Sequence, residues 1–424
     1  LTESKANHNL EDIMSRNKKE VVIIGAGVIG CSIAYHLGRQ GIGAQVFEID
    51  SIAARASGKS WAIVVHPRTV LTQEAAAVGE LMSVPKGGIR PWMELVSIGY
   101  FRLPYVALEL KEEAGVDIGL SEFPMLELAR SESEEEGLKA EFNQQRSEGY
   151  YHSYWLEAKE LRAIYPDIDR RVRGAFCYPC FQYEPYKYVL GLAQAAEKMG
   201  ANFRQGEAVG FKHKGSRITS LILATGTEVE ADVFILAMGP WTAQGASWLE
   251  NEIPIRINRE QCLRLEVQNR LPPYVLIAGL APRETAIAIV PHANGEVILG
   301  HAAEADLQPD LDGTIITEET KTTILSDAID LLPSLNDAKL VEHRGDFEGW
   351  APPPNSSQPV MGRLPEWDNA YVAARFGTQG QILSLGAGQC MADLIATNGK
   401  VPLRIRNMME VLSPNRLPDR KVAK

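Results

Sequence analysis

Cysteine is scarce in this chain and follows no pattern: Cys31, Cys177, Cys180, Cys262 and Cys390 are an odd number scattered over 424 residues. That excludes a disulfide scaffold and, with no secretory signal pattern, leads to the expectation of reduced thiols in a cytoplasmic protein. Cys177 and Cys180 have the spacing of a redox or zinc pair, but no second pair lies near and the intervening Tyr-Pro fits a loop. No metal site is expected. Long apolar runs are missing as well, so no transmembrane span is expected. A basic excess is missing too: with a net charge of -11 and only short basic stretches, nucleic acid is a poor partner. Repeats and low-complexity tracts are absent, and the acidic run 131–136 reads as a solvated helix start.

What is present is the composition of a globular protein, 45% hydrophobic and 23% charged, in a chain long enough for two or three domains. Residues 1–19 are polar and aperiodic and read as a flexible leader.

Residues 21–50 read as one βαβ unit. An apolar strand (Val21, Val22, Ile23, Ile24) runs into Gly25-Ala26-Gly27-Val28-Ile29-Gly30, then a helix, then a second strand ending in Glu48. A diphosphate must approach the main chain closely, which side chains at Gly25 and Gly27 would block, while Gly30 serves packing. The helix aims free N–H groups and its positive end at the anion. A carboxylate about 20 residues past the turn accepts hydrogen bonds from a ribose diol and repels a 2'-phosphate, which disfavours NADP. The unit alone leaves NAD and FAD open.

Further along, Arg55 to Trp61 form a small polar stretch of the kind that wraps a cofactor. Residues 73–115 read as a largely helical insertion, 174–185 as sheet leading into a helix over 187–198, and 208–229 as a meander of short strands. Residues 231–241 give a buried strand entering a glycine turn. Alternation over 253–300 predicts an antiparallel sheet with one buried face, followed by a helix over 318–332. The chain then returns to a strand over 370–374, a glycine-rich turn and a helix over 388–397.

Four segments in order, GAGVIG with Glu48, ASGKS at 56–60, ADVFILAMGPW at 231–241 and PVMGRLPEWDNAYVAARFGTQGQ at 359–381, resemble the D-amino acid oxidase-like superfamily of FAD enzymes. That superfamily includes glycine oxidase, sarcosine oxidase and D-amino acid dehydrogenase. The resemblance spans nearly the whole chain and implies FAD rather than NAD, with the diphosphate on Gly25, Gly27, Val28, Ile29 and Gly30 and the adenosine ribose on Glu48 beside Ile49. It implies Arg55, Ser57, Ser60 and Trp61 near the diphosphate and flavin, the Val209 backbone on the adenine, and Met238 and Gly239 beside the dinucleotide. Backbone N–H groups of the turn holding Gly377, Gln379, Gly380, Gln381 and Ile382 would face flavin N1 and the C2 carbonyl, stabilising negative charge on the reduced ring. Trp61 resembles the tryptophan before a flavin-linking histidine in dimethylglycine and sarcosine dehydrogenases, but Ala62 follows it, so FAD is expected to be non-covalent.

The implied fold class is α/β: a Rossmann-like FAD-binding domain from 20–90, 150–250 and 340–412, and an α+β substrate domain with a mostly antiparallel sheet from 91–149 and 251–339, with a tail at 413–424. The implied activity is FAD-dependent oxidation of a small amine or amino acid by hydride transfer to flavin N5, giving an imine that hydrolyses. Two alternatives stand beside it: oxidation of a 2-hydroxy acid or polyol, and a flavin-binding subunit without its own substrate site. Partners would be that small molecule and an electron acceptor, which is oxygen, a quinone or a carrier protein.

Substrate-pocket candidates are Tyr183, Trp241, Arg344 and Trp350, with Tyr178 as a further aromatic. Amino acid oxidising members commonly place an arginine on the substrate carboxylate from a Gly-Leu-Arg-Pro segment. Here the segment reads Gly349-Trp350-Ala351-Pro352, and Pro354-Asn355-Ser356 stands where Thr-Pro-Asp usually follows. Arg264, Arg344 or Arg375 would have to substitute, and His292 and His343 are further candidates. The lysine that assists oxygen reduction in sarcosine oxidase has no counterpart near residues 297–300.

Overall fold

The structure, a computed structural model, describes residues 19–67, 93–279, 287–301, 316–350, 352 and 359–417. Ala351, the 354–356 segment, most of the leader and the end of the tail lie outside the described residues, as does the start of the helical insertion.

Val21–Ile24 is four branched apolar residues with no polar position to turn outward, so it can be stable only inside a sheet covered on both faces. It lies there, paired in parallel with Ala44–Glu48 on one side and Val233–Leu236 on the other. The six-stranded sheet runs Val360–Arg363, Ala370–Ala374, Val233–Leu236, Val21–Ile24, Ala44–Glu48, Asn202–Gln205, parallel except for the antiparallel edge strand Val360–Arg363. The chain leaves Val21–Ile24 to one side first and returns on the other. Such a reversal opens a crevice beyond the carboxyl ends of the strands, here beyond Ile24 and Leu236.

Helix Val28–Arg39 covers this sheet together with Pro185–Lys198 and Gly380–Ala396. Gly380–Ala396 is buried almost all round, and its small residues set how close its neighbours come. A Cβ at Gly388 would sit 2.3 Å from Ser32 Oγ, and one at Gly386 would sit 2.6 Å from the Leu95 carbonyl oxygen on helix Met93–Glu109.

The second sheet has eight strands in the order Lys339–Trp350, Arg256–Glu266, Glu296–His301, Ile287–Pro291, Val275–Ala278, Met125–Ala129, Gly174–Tyr178, Tyr154–Glu157. All neighbours are antiparallel except Val275–Ala278 with Met125–Ala129. Its centre is buried on both faces, where alternation suggested one. Cys262, Val290 and Ile298 join the core shared with the first sheet, whereas Leu263, Ile289 and Leu299 pack in a separate core with helix Glu318–Leu331. Strands Ala208–Lys214, Arg217–Leu223 and Glu228–Glu230 form the expected antiparallel meander.

Sheet pairing divides the chain differently from the sequence boundaries at 150 and 340. Strands Tyr154–Glu157, Gly174–Tyr178 and Lys339–Trp350 hydrogen-bond within the second sheet, although their segments were grouped with the first. Helix Met93–Glu109, grouped with the substrate domain, packs on Gly380–Ala396 beside the first sheet. Among the described residues no helix is long and apolar enough to cross a membrane.

Candidate cofactor and substrate site

The glycine turn begins where Val21–Ile24 ends. Gly25 has φ +106°, a conformation that L side chains rarely adopt, and a Cβ there would lie 2.3 Å from the Ala237 carbonyl oxygen. A Cβ at Gly30 would lie 1.9 Å from the Gly25 carbonyl oxygen, so Gly30 lets the helix lie on the turn. Gly27 is the N-cap of Val28–Arg39, with no side-chain cap of its own and no acidic residue in the first turn. A Cβ at Gly27 would lie 3.1 Å from Ser57 Oγ, which accepts a 3.0 Å hydrogen bond from the Val28 amide. The helix therefore presents its positive end to the crevice.

Glu48 stands at the end of the second strand and accepts hydrogen bonds from the Ala26 amide at 2.7 Å and the Asp50 amide at 3.1 Å. The carboxylate is held at the lip of a 380 Å³ cavity whose lining includes Gly25, Gly27, Ile49, Val209, Met238 and Gly239. Val209 is exposed on this rim, and Arg55 lies over the Trp241 ring, 5.7 Å from its centroid. Trp241, a substrate-wall candidate, lines this cavity together with Gly25, Glu48 and Ile49.

A second cavity of 100 Å³ continues the first, sharing Gly27, Ser57, Gly239 and Phe347 with it and adding Glu348, Arg375, Gly377 and Gly380. Its far wall is the last glycine-rich turn. The helix here starts at Gly380, eight residues before the expected Gly388, because Gly386 and Gly388 serve as close-crossing positions within a helix and do not end a turn. Consequently Gly380, Gln381 and Ile382 are the first turn of a helix that has no side-chain cap, and Gly380 brings the start of that helix to the cavity wall.

One chain of hydrogen bonds ties these segments together. The Tyr183 hydroxyl donates to Gln381 Oε1 at 3.0 Å, Gln381 Nε2 donates to the Ser57 carbonyl at 2.6 Å, and the Ser57 hydroxyl holds the Val28 amide. Tyr183 is fully buried, so it acts here as a support for Gln381. Two tryptophans pack between the loop segments and the second sheet: a Cβ at Gly377 would lie 2.7 Å from the ring of Trp350, on that sheet, and one at Gly300, also on that sheet, would lie 1.9 Å from the ring of Trp61. Tyr178 is fully buried as well, its hydroxyl 3.3 Å from Glu127.

The sheet face turned toward the crevice is rich in charge. Arg344, Asp346 and Glu348 alternate along one strand, and Asn258, Glu260 and Cys262 oppose them on the next. Lys59 Nζ lies 2.8 Å from Asp346. Arg344 donates to Cys262 Sγ and to the Ser60 carbonyl, each at 3.3 Å, so this pocket candidate is occupied in joining the cofactor loop to the sheet. Glu260 and Glu348 share a hydrogen bond. Burial and then the neighbouring Glu348 charge push the Glu260 carboxyl far up, and burial raises Glu348 to about 6.

Other candidates have partners. Arg264 lies between Glu296 and Glu342, His343 Nε2 meets Gln261 Oε1 at 3.0 Å, and His292 Nδ1 lies 3.1 Å from Glu184. That hydrogen bond holds the Glu184 carboxyl below its ordinary value. Arg375 is buried, and burial followed by the nearby Arg416 charge lowers it to about 10. Cys177 and Cys180 sit buried in two successive strands, and burial pushes the Cys177 thiol up to about 12. Among the described residues, no group of three or more His, Cys, Asp or Glu side chains is placed to hold a metal ion, and all five cysteines are free.

Sequence reasoning missed Lys59 with Asp346 and Glu260 with Glu348. The signal available was the two-residue alternation of Arg344, Asp346 and Glu348, which in a strand puts all three on one face.

The residues present fit FAD. A cradle that Cβ atoms would fill, two uncapped helix N-termini, a carboxylate at ribose distance from the turn and two confluent cavities match an extended dinucleotide better than a mononucleotide. Comparison with known proteins agrees. Residues 20–394 match the family described as DAO, FAD dependent oxidoreductase. A glycine oxidase of Bacillus licheniformis is 27% identical over 90% of this chain and 94% of its own length. The crystal structure of glycine oxidase from Bacillus cereus superposes with a TM-score of 0.79 at 23% identity, covering 96% of this chain and all of that one (100%). Iminodiacetate oxidase from a Chelativorans species gives a TM-score of 0.75 at 20% identity over 90% of this chain and 97% of that one.

Proposed function

Since this chain belongs to the DAO family of FAD-dependent oxidoreductases, we propose that it oxidises a small amine or amino acid at its C–N bond. FAD, when bound, supplies the acceptor at N5 for a hydride from the carbon next to nitrogen, and the imine released is hydrolysed by water. The chain's own residues bind, orient and exclude. The turn 25–30, Ser57 and the start of Val28–Arg39 would take the diphosphate, Glu48 the ribose, and the Gly380, Gln381 and Ile382 amides the pyrimidine end of the ring. Trp61 and Trp350, packed on Gly300 and Gly377, keep water from the space between the two sheets.

The observation that carries the choice of an amine is the absence of histidine from the lining of either cavity among the described residues. Oxidation of a hydroxy acid or polyol needs a base for the hydroxyl proton. An amine gives up its ammonium proton to solvent before the hydride leaves, so its oxidation requires no such base from the chain. The names of the relatives, glycine oxidase and iminodiacetate oxidase, support the same reading.

For the electron acceptor we infer a quinone or carrier protein. Strand Glu296–His301 contains no lysine, and Lys59, the ammonium on that side of the site, is committed to Asp346. Five buried free thiols support a reducing, cytoplasmic setting.

Anaerobic mixing of the holoenzyme with panels of amines, amino acids, 2-hydroxy acids and polyols tests the reading. Bleaching of the flavin by an amine or amino acid is the expected result. Bleaching by hydroxy acids alone would select the second reading, and none at all the flavin-holding subunit.

A further inference from the structure

We propose that Arg375 is the fixed positive charge facing the pyrimidine edge of the flavin, and that it governs how readily the bound ring takes on negative charge. This rests on the FAD reading above and gives Arg375 a role toward the flavin that the resemblance does not supply.

Arg375 directly follows strand Ala370–Ala374, at the carboxyl edge of the parallel sheet where the crevice opens. It lines the 100 Å³ cavity with Gly27, Gly239, Gly377 and Gly380, positions with no side chain to hold a bound group off the main chain. The residue is only 4% exposed, and its Nε has no hydrogen-bond partner among the described residues. Nor does any carboxylate there stand within ion-pair distance. The charge it feels is Arg416, of the same sign. Burying a cation without a counter-charge is strongly unfavourable, so the position makes physical sense only if an acceptor or an anion occupies the cavity.

Two further facts narrow what that acceptor is. Glu348, in the same cavity, is already engaged by Glu260 and the Trp350 indole N–H and supplies no free counter-charge. Arg375 also has φ +66°, a left-handed backbone that glycine would adopt without strain. A long cationic side chain held there is the kind of local strain that clusters at functional positions. Gly380, the first residue of helix Gly380–Ala396, lines the same cavity, so the positive end of that helix and a full positive charge converge on one end of the crevice. In a site screened from water such a constellation stabilises negative charge that develops on the group it faces.

The test uses the FAD-loaded protein and inorganic sulfite, which adds to flavin N5: an S–N bond forms from the sulfur lone pair while ring electrons move to the N1–C2 carbonyl end. Its affinity reports stabilisation of negative charge there without turnover. In Arg375→Met the sulfite affinity should fall at least tenfold and photoreduction should give the neutral, blue one-electron form in place of the anionic, red one. Arg375→Lys should keep most of the wild-type affinity. Wild-type sulfite affinity in FAD-loaded Arg375→Met would overturn the proposal. So would loss only of the spectral change produced by propionate, which would make Arg375 a substrate-carboxylate group. If Arg375→Met does not retain FAD, Arg375→Gln decides on the same readouts, and retention by Arg375→Lys but by neither neutral variant supports the charge. Loss of FAD from Arg375→Lys too would make the residue merely structural. Failure of the cofactor reading looks different, because the wild-type protein itself would then be colourless.

Discussion

The Lys59 ammonium and the Asp346 carboxylate meet at 2.8 Å, and they come from opposite sides of the crevice. Lys59 ends the short helix Ala56–Lys59 of the cofactor loop, and Asp346 lies on strand Lys339–Trp350 of the second sheet. The Asp346 side chain is 2% exposed, so the pair is a strut between the two sheets more than a surface ion pair. With Arg344 on the Ser60 carbonyl and Cys262 donating to the Lys59 carbonyl at 3.5 Å, it fixes the loop that carries Ser57.

Removing one partner should therefore be costly. Asp346→Asn leaves a half-buried ammonium without its counter-charge and is expected to destabilise the holoenzyme by about 2–4 kcal/mol, with weaker FAD retention. Adding Lys59→Met should recover more than half of that loss. A double-mutant cycle from urea unfolding measures both. Additive losses would mean that the strut carries no coupling.

The glycine cradle makes a sharper prediction. Gly30→Ala places a methyl 1.9 Å from the Gly25 carbonyl oxygen and must displace main chain, at about 1–3 kcal/mol. Because that main chain is the proposed diphosphate seat, FAD affinity should fall roughly tenfold to a hundredfold. Gly137→Ala, in helix Glu132–Ser147 with nothing within 4 Å of the new methyl, should bind FAD normally and gain about 0.4–1 kcal/mol of stability. Quenching of FAD fluorescence on titration with apoprotein reads the affinity of each.

Glu48 is expected to act on affinity more than on fold. Glu48→Ala should lower FAD affinity about tenfold through loss of hydrogen bonds to a ribose diol, and should lower apoprotein stability by about 1 kcal/mol because the Ala26 amide loses its acceptor. The same titration checks the affinity. A loss of stability with no loss of affinity would show that the Ala26 contact, not the ligand, is what Glu48 serves.

The contiguous parts of the site are legible in the sequence, because strand, turn, helix and acid follow one another over residues 21–48 and each has its own local signature. The strands at 233–236 and 370–374 are legible for the same reason. The helix start at Gly380 is not, since its glycines read as turn residues until Leu95 and Ser32 are seen pressed against them. Nor is the Glu260–Glu348 contact, made by residues far apart in the chain and set by the register of two long strands. Sheet membership of 154–178 and 339–350 fails likewise, because strand pairing is non-local and composition carries no trace of it.

That carboxyl pair gives a pH prediction. Burial raises Glu348 above its ordinary value to about 6, so its contribution to stability is full below the unfolded value near 4.5 and is lost as pH rises through about 6. Glu348→Gln, which cannot ionise, should remove this dependence. The stability difference between wild type and variant should swing by on the order of 2 kcal/mol between pH 4.5 and pH 7.5, the wild type losing ground as pH rises. Urea denaturation at matched pH values measures it, and parallel curves would place Glu348 in free contact with solvent.

The most direct test of the account is the flavin content of the purified protein. Heat denaturation in the dark should release FAD into the supernatant at about one per chain, with a colourless pellet, because the crevice from Glu48 to Gly380 is built for one extended dinucleotide. Protein that is colourless after incubation with FAD and desalting would contradict the account at its root.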